Sequence, residues 1–176
     1  METKIEITND VKAKMFALYL GQRIKYSGIH WNYTYVWLEV VSLIERSIQS
    51  VYKDPQGSEQ NADFDDHVII LKPLSKITDE DAIMVGQLCG IGLDNECIVF
   101  ERDAERVIVE QKKPTGIQCW IWYDAEFFLE NSFKEKSISS HTPIEAYQYL
   151  LSRGYDLPQY LLNGRTLKES GLAIYE

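Results

Sequence analysis

Asp103, Glu110 and Lys112 are the residues whose types and spacing come nearest to a hydrolytic centre. A carboxylate followed by Glu-x-Lys on adjacent strands can hold Mg²⁺, position a water and stabilise developing charge. Asp103, however, falls in the turn of an expected hairpin, out of register with Glu110. A solvated hairpin edge guarded by Glu and Lys accounts for the same residues. The histidines, His30, His67 and His141, supply no second set, since none lies three or four residues from another His or from a Cys. Cys89, Cys97 and Cys119 are an odd count without Cys-x-x-Cys spacing. They read as reduced, buried small hydrophobes rather than a disulfide framework or a zinc knuckle. No nucleophile elbow or P-loop is present, and Gly86, Gly90 and Gly92 read as a helix with a close packing contact and a C-cap. The residues therefore point to a non-catalytic chain without metal or cofactor, with a metal-dependent nuclease as the alternative.

The acids carry more information than the histidines. Asp63, Asp65 and Asp66 share one stretch, Asp79, Glu80 and Asp81 precede a helical pattern, and Asp94 and Glu96 flank a turn. Such residues solubilise a surface and cap helices, or together they form an acidic face that docks on a basic groove. Exposed aromatics would anchor such a contact. Tyr33, Trp120 and Trp122 are the candidates, although large aromatics at alternating positions commonly face a core. The interaction set expected from the sequence is Asp63, Asp65, Asp66, Asp79, Glu80, Trp120 and Trp122.

The elements that must position these residues follow from periodicity. Val11, Met15 and Leu18 repeat at helical spacing, with Asn9 or Asp10 as N-cap and Gly21 as stop. Residues 22–26 and 31–36 suit strands. Residues 38–52 fit helical spacing, but their β-branched and aromatic density favours strand. Residues 54–66 read as an exposed acidic loop, and Val68–Leu71 as a strand closed by Pro73. Thr78 caps a helix that ends by Gly90. Cys97–Phe100 and Arg106–Val109 form a hairpin around Arg102–Ala104, and residues 117–123 form an aromatic strand. Thr142-Pro143-Ile144-Glu145 opens a helix that runs to Gly154, with Pro143 at its first position. Thr166–Glu169 forms a capping box for a final short helix, and residues 172–175 suit a strand. The expected architecture is α+β, with a mainly antiparallel sheet and about three short helices in a single compact domain spanning residues 1–176.

Composition limits the partners. Of the 176 residues, 18 are Lys or Arg and 27 are Asp or Glu, a formal charge of −9. A chain of that sign is a poor partner for phosphate backbones, so no direct nucleic-acid contact is expected. No membrane-length apolar run and no signal-peptide core are seen.

Three stretches resemble uncharacterised small accessory proteins of phages and prophages: Leu18-Tyr19-Leu20-Gly21-Gln22, Leu71–Ile83, and Tyr149–Pro158 with Gly171-Leu172 after it. The resemblance implies a mobile-element protein acting in a bacterial cytoplasm, and it brings no assigned activity. Taken with the charge, it implies a binder of a host protein. A nucleic-acid-handling defence nuclease, such as a CRISPR effector, is the expected target because its groove is basic. A virion or replication accessory role is the other alternative.

Overall fold

Runs rich in β-branched and aromatic residues dominate the chain. The computed structural model describes residues 7–26, 36–44, 47–53, 59–63, 67–113, 116–131, 137–140 and 143–176. Their order is α1 (Asn9–Ala17), β1 (Arg23–Tyr26), β2 (Val36–Ile44), β3 (Ser47–Lys53), β4 (Glu59–Asp63), β5 (His67–Pro73), α2 (Asp79–Gly86), β6 (Cys97–Arg102), β7 (Arg106–Gln111), β8 (Ile117–Trp122), β9 (Phe127–Asn131), β10 (Ser137–Ser140), α3 (Ile144–Ser152), β11 (Tyr155–Asp156) and β12 (Ala173–Tyr175). This is the α+β class, with three α-helices among the described residues. The chain divides into two compact units, Met1–Lys72 with Pro158–Glu176, and Pro73–Leu157.

In the first unit the strand order is β5-β1-β2-β3-β4, all antiparallel, and β12 runs parallel to β5 with Ala173 opposite Ile69. The ambiguous segment 38–52 is extended. Strands β2 and β3 pair from Trp37↔Lys53 to Ile44↔Ser47, so β-branched and aromatic density prevails over the helical spacing. Part of the expected acidic loop is instead strand β4, which pairs with β3 at the sheet's edge. Its polar residues suit an edge, where charge discourages further pairing. Residues 54–58 and 64–66 lie outside the described residues, as do residues 31–35 of the strand expected at 31–36, whose last residue, Val36, begins β2. The cap of α1 is Thr8, not Asn9 or Asp10: the Val11 N–H donates to Thr8 Oγ1 at 3.4 Å. Thr166 and Glu169 form the reciprocal bonds of a capping box, with Thr166 N–H to Glu169 Oε2 at 2.8 Å and Glu169 N–H to Thr166 Oγ1 at 3.3 Å. They close only a turn, ended by Gly171 at φ +75°, and no helix follows.

The second unit is a five-stranded antiparallel sheet in the order β10-β9-β8-β7-β6, with α2 against one face. Strands β9 and β10 are absent from the sequence reading. On the inner face Val107, Val109, Cys119, Ile121 and Phe127 are buried. All three cysteines are buried and free. A hydrogen bond with the Cys89 thiol, together with burial, pushes the Cys119 thiol well above its usual range. Thr78 caps α2 as expected, its Oγ1 accepting from Asp81 N–H at 3.1 Å. The helix then widens into an irregular turn, Gln87–Ile91, closed by the Gly92 N–H donating to Gln87 O at 3.3 Å, in which Gly90 reaches φ +128°. Pro143 stands at the cap position of α3, with extended ψ of 136°, rather than at its first helical position.

Gly86 explains how closely α2 approaches the sheet. A Cβ placed there would lie 2.9 Å from Val109 Cγ1 and 3.1 Å from Val109 Cβ. Val109 is β-branched and fully buried, so it cannot swing aside. Gly86→Ala should therefore destabilise the protein by about 1–3 kcal/mol through overpacking, although Ala is the better helix former by about 1 kcal/mol. Chemical denaturation measures this. Adding Val109→Ala should restore part of the loss, a non-additivity expected of touching residues.

Candidate functional site

The outer face of the second unit's sheet carries the most chemistry. Along β8, burial alternates so that Cys119 and Ile121 point inward and Gln118, Trp120 and Trp122 stand half-buried on the other side. Cross-strand pairing extends this face. Arg106 lies opposite Trp122, Ile108 opposite Trp120, Phe128 opposite Trp120, and Glu130 opposite Gln118. Trp120, Trp122, Phe128, Asp124, Glu126 and Glu130 line a groove of about 460 Å³.

Two features fix the aromatic pair. The Arg106 guanidinium carbon lies over both indoles, 4.5 Å from the Trp120 ring centroid and 4.9 Å from that of Trp122. Such contacts contribute about 0.5–2 kcal/mol, more as water is excluded. Arg106 Nε is 3.3 Å from Asp103 Oδ2 but lacks hydrogen-bond alignment there, so the attraction is that of an ion pair. Trp120 Nε1 donates to Gln118 Oε1 at 3.3 Å. Trp122 Nε1 is buried with no acceptor among the described residues.

The turn from β8 to β9 sets the acids. The Trp122 N–H donates to Glu126 O at 2.9 Å and closes a loop of Tyr123, Asp124 and Ala125, in which the Glu126 N–H donates to Asp124 Oδ1 at 3.2 Å and Ala125 sits at φ +67°. A three-residue hairpin loop requires a left-handed residue at that point, which is usually Gly. Asp124, Glu126 and Glu130 have no ion-pair partner among the described residues. These acids and Phe128 are not among the residues that composition and motif spacing single out. Their signal was the alternation Glu126, Phe128, Glu130 against Phe127 and Leu129, which marks a strand with two unlike faces.

The other expected site residues are dispersed. Asp63 ends β4, and Asp65 and Asp66 lie outside the described residues, as do His30, His141 and Tyr33. Asp79 forms an ion pair with Arg102 at 2.7 Å, and Glu80 is exposed beside it at the start of α2. Asp103 is a turn residue. Its Oδ1 accepts from the N–H groups of Glu105 at 2.7 Å and Arg106 at 2.9 Å, and these bonds lower its carboxyl below the usual range. Glu110 lies four residues beyond Arg106 along β7, roughly 14 Å at the strand rise, and Lys112 pairs with Glu96 at 3.4 Å. Asp103, Glu110 and Lys112 therefore do not converge. Among the described residues no group of three or more His, Cys, Asp or Glu could hold a metal ion, and no helix is long and apolar enough to cross a membrane.

Asp81 is a second polar cluster, and it is entirely buried. Its Oδ1 accepts from Tyr149 Oη at 2.8 Å and Arg153 Nε at 2.8 Å, and its Oδ2 accepts from Tyr155 Oη at 2.7 Å. Tyr155 Oη in turn accepts from Thr78 N–H at 3.2 Å. Every oxygen of the carboxylate is used, which suits it to hold α2 and α3 together rather than to meet a substrate. Comparison of the chain with protein-family models, curated proteins and solved structures gives no match.

Ala125→Gly should stabilise the protein by up to about 1 kcal/mol, because Gly removes the left-handed strain; thermal denaturation reads this directly. Burial raises the Asp81 carboxyl, but the bonds from Tyr155, Tyr149, Thr78 and Arg153 outweigh it and leave it below its ordinary 3.8. Its stabilising effect is thus present above pH 3.8 and lost as pH falls below that value. Burial and Asp81 push Tyr149 and Tyr155 up from 10.0 to about 12. Their stabilising effect is complete below pH 10 and lost as pH rises towards 12. A denaturation series across pH should show both limbs. Asp81→Asn should flatten the acid limb and cost about 1–3 kcal/mol.

Proposed function

We propose that this chain is a non-catalytic interaction protein, and that it uses the groove of Trp120, Trp122 and Phe128 to dock on a basic surface of another protein. The observation that carries the reading is the combination of three aromatic rings with three carboxylates, Asp124, Glu126 and Glu130, that have no ion-pair partner among the described residues. Half-buried tryptophans rimmed by charge resemble the anchor residues of protein interfaces, where a few aromatics supply most of the affinity. The net charge of −9 adds long-range steering towards a positive partner.

The partner class is a nucleic-acid-handling protein, because such proteins present basic grooves. The likeness to phage and prophage accessory proteins supports a host defence nuclease, a CRISPR effector among them, met in a bacterial cytoplasm. Occupation of its groove would block access for DNA or RNA.

The experiment is affinity capture from a bacterial lysate treated with nuclease, followed by reconstitution with the purified partner. Capture should survive nuclease treatment, weaken with rising salt as the ~8 Å screening length shrinks, and compete with nucleic acid for the partner. Trp122→Ala should weaken binding by about 2 kcal/mol or more if Trp122 is an anchor, with the melting transition still cooperative. Binding that is unaffected by Trp122→Ala and by Glu126→Lys with Glu130→Lys would remove the groove from the interface. Cleavage of DNA or RNA by the protein alone with Mg²⁺ would overturn the non-catalytic reading.

A further inference from the structure

We infer that the groove on the outer face of the second unit's sheet is specific for arginine, and that it takes a guanidinium from the partner rather than a lysine ammonium. This rests on the reading of the groove as a site for a basic protein, and it adds which basic side chain is read. The chain itself contains the precedent. Arg106 already places a guanidinium over both indoles, at 4.5 Å and 4.9 Å from the ring centroids, so the spacing of Trp120 and Trp122 suits a flat cation. Arg106 reaches them from β7 and does not line the groove, which is bounded by residues of β8, β9 and the turn between them.

Charge separates the two sides of the indole pair. On the β7 side the resident cation is matched by Asp103 at 3.3 Å. On the β9 side Asp124, Glu126 and Glu130 line the groove without an ion-pair partner among the described residues, so the described part of that side carries an excess of negative charge. The order of side chains on β9 supplies the geometry. Glu126, just before β9, and Phe128 and Glu130 within it follow at every second residue, so the backbone positions of two acids lie roughly 7 Å to either side of that of Phe128. A guanidinium stacked on Phe128 or Trp120 could turn its fork of N–H donors to either acid. An ammonium is a compact, strongly hydrated point charge. It would lose water on entering a groove lined by three rings, and it has no plane to stack.

The test uses the full chain and three synthetic peptides of identical Gly-Ser framework, each with two variable positions filled by arginine, lysine or citrulline. Citrulline keeps the planar shape of arginine and removes its charge. Binding is read by titration calorimetry and by the indole N–H signals of Trp120 and Trp122. The arginine peptide should bind at least about tenfold more tightly than the lysine peptide, the increment that a desolvated cation–π contact supplies. The citrulline peptide should be weaker than both. Glu126→Gln combined with Glu130→Gln should lower arginine-peptide affinity without shifting the melting temperature. Equal affinity for arginine and lysine would overturn the guanidinium inference and leave the acidic-groove reading standing. No binding of any peptide at millimolar concentration, with the indole signals unmoved, would overturn both.

Discussion

A carboxylate withdrawn from water must be met by donors on every side, and Asp81 imposes that requirement on the second unit. Its partners come from separate stretches of chain: Tyr149 and Arg153 of α3 and its end, and Tyr155 of β11, which also binds the Thr78 N–H at the start of α2. Removing any one leaves a buried acceptor short of a partner, which is costly in a low-dielectric interior. The arrangement therefore specifies one docking of α3 against α2. Because α2 lies on the sheet through Gly86 and Val109, the same constraint holds the sheet from behind. The outer groove thus sits on strands whose inner face is locked.

The two polar clusters contrast in how their charge is met. At Asp81 each oxygen has its donors and the arginine is half-exposed, so charge is satisfied within the fold. At the groove the resident arginine is matched, while three nearby carboxylates have no cation among the described residues. Internal balance suits a structural cluster; imbalance at a half-buried aromatic surface is what supports the proposed docking role of the groove.

Much of this fold was legible in the sequence, because local signals and tertiary packing agreed there. The Thr78 cap, the hairpin around Asp103, strand β8, the stop at Gly154 and the close contact at the Gly86 region each rest on one residue type doing one thing. Three matters were not legible. Strand β4 is written in polar residues, and an edge strand needs no apolar alternation to pair. Asp81 looked like one more acid in the first turn of a helix; its burial depends on Tyr149, Arg153 and Tyr155, which are about seventy residues away. The groove acids escaped because β9 was not recognised, so Glu126 and Glu130 had no face to share with Trp120 and Trp122. The tryptophans themselves were identified, but the side of the sheet they occupy was not, since β8 carries hydrophobes on both faces.

That doubled apolar character of β8 has an evolutionary consequence. Neighbouring residues of one strand serve separate ends: Cys119 and Ile121 fill the interior, and Trp120 and Trp122 meet the outside. Substitutions on opposite faces share few partners, so their effects should combine nearly independently. A lineage facing a changing partner can then rewrite the outward positions while the inward ones keep the fold, and recognition can drift without a search for a new scaffold.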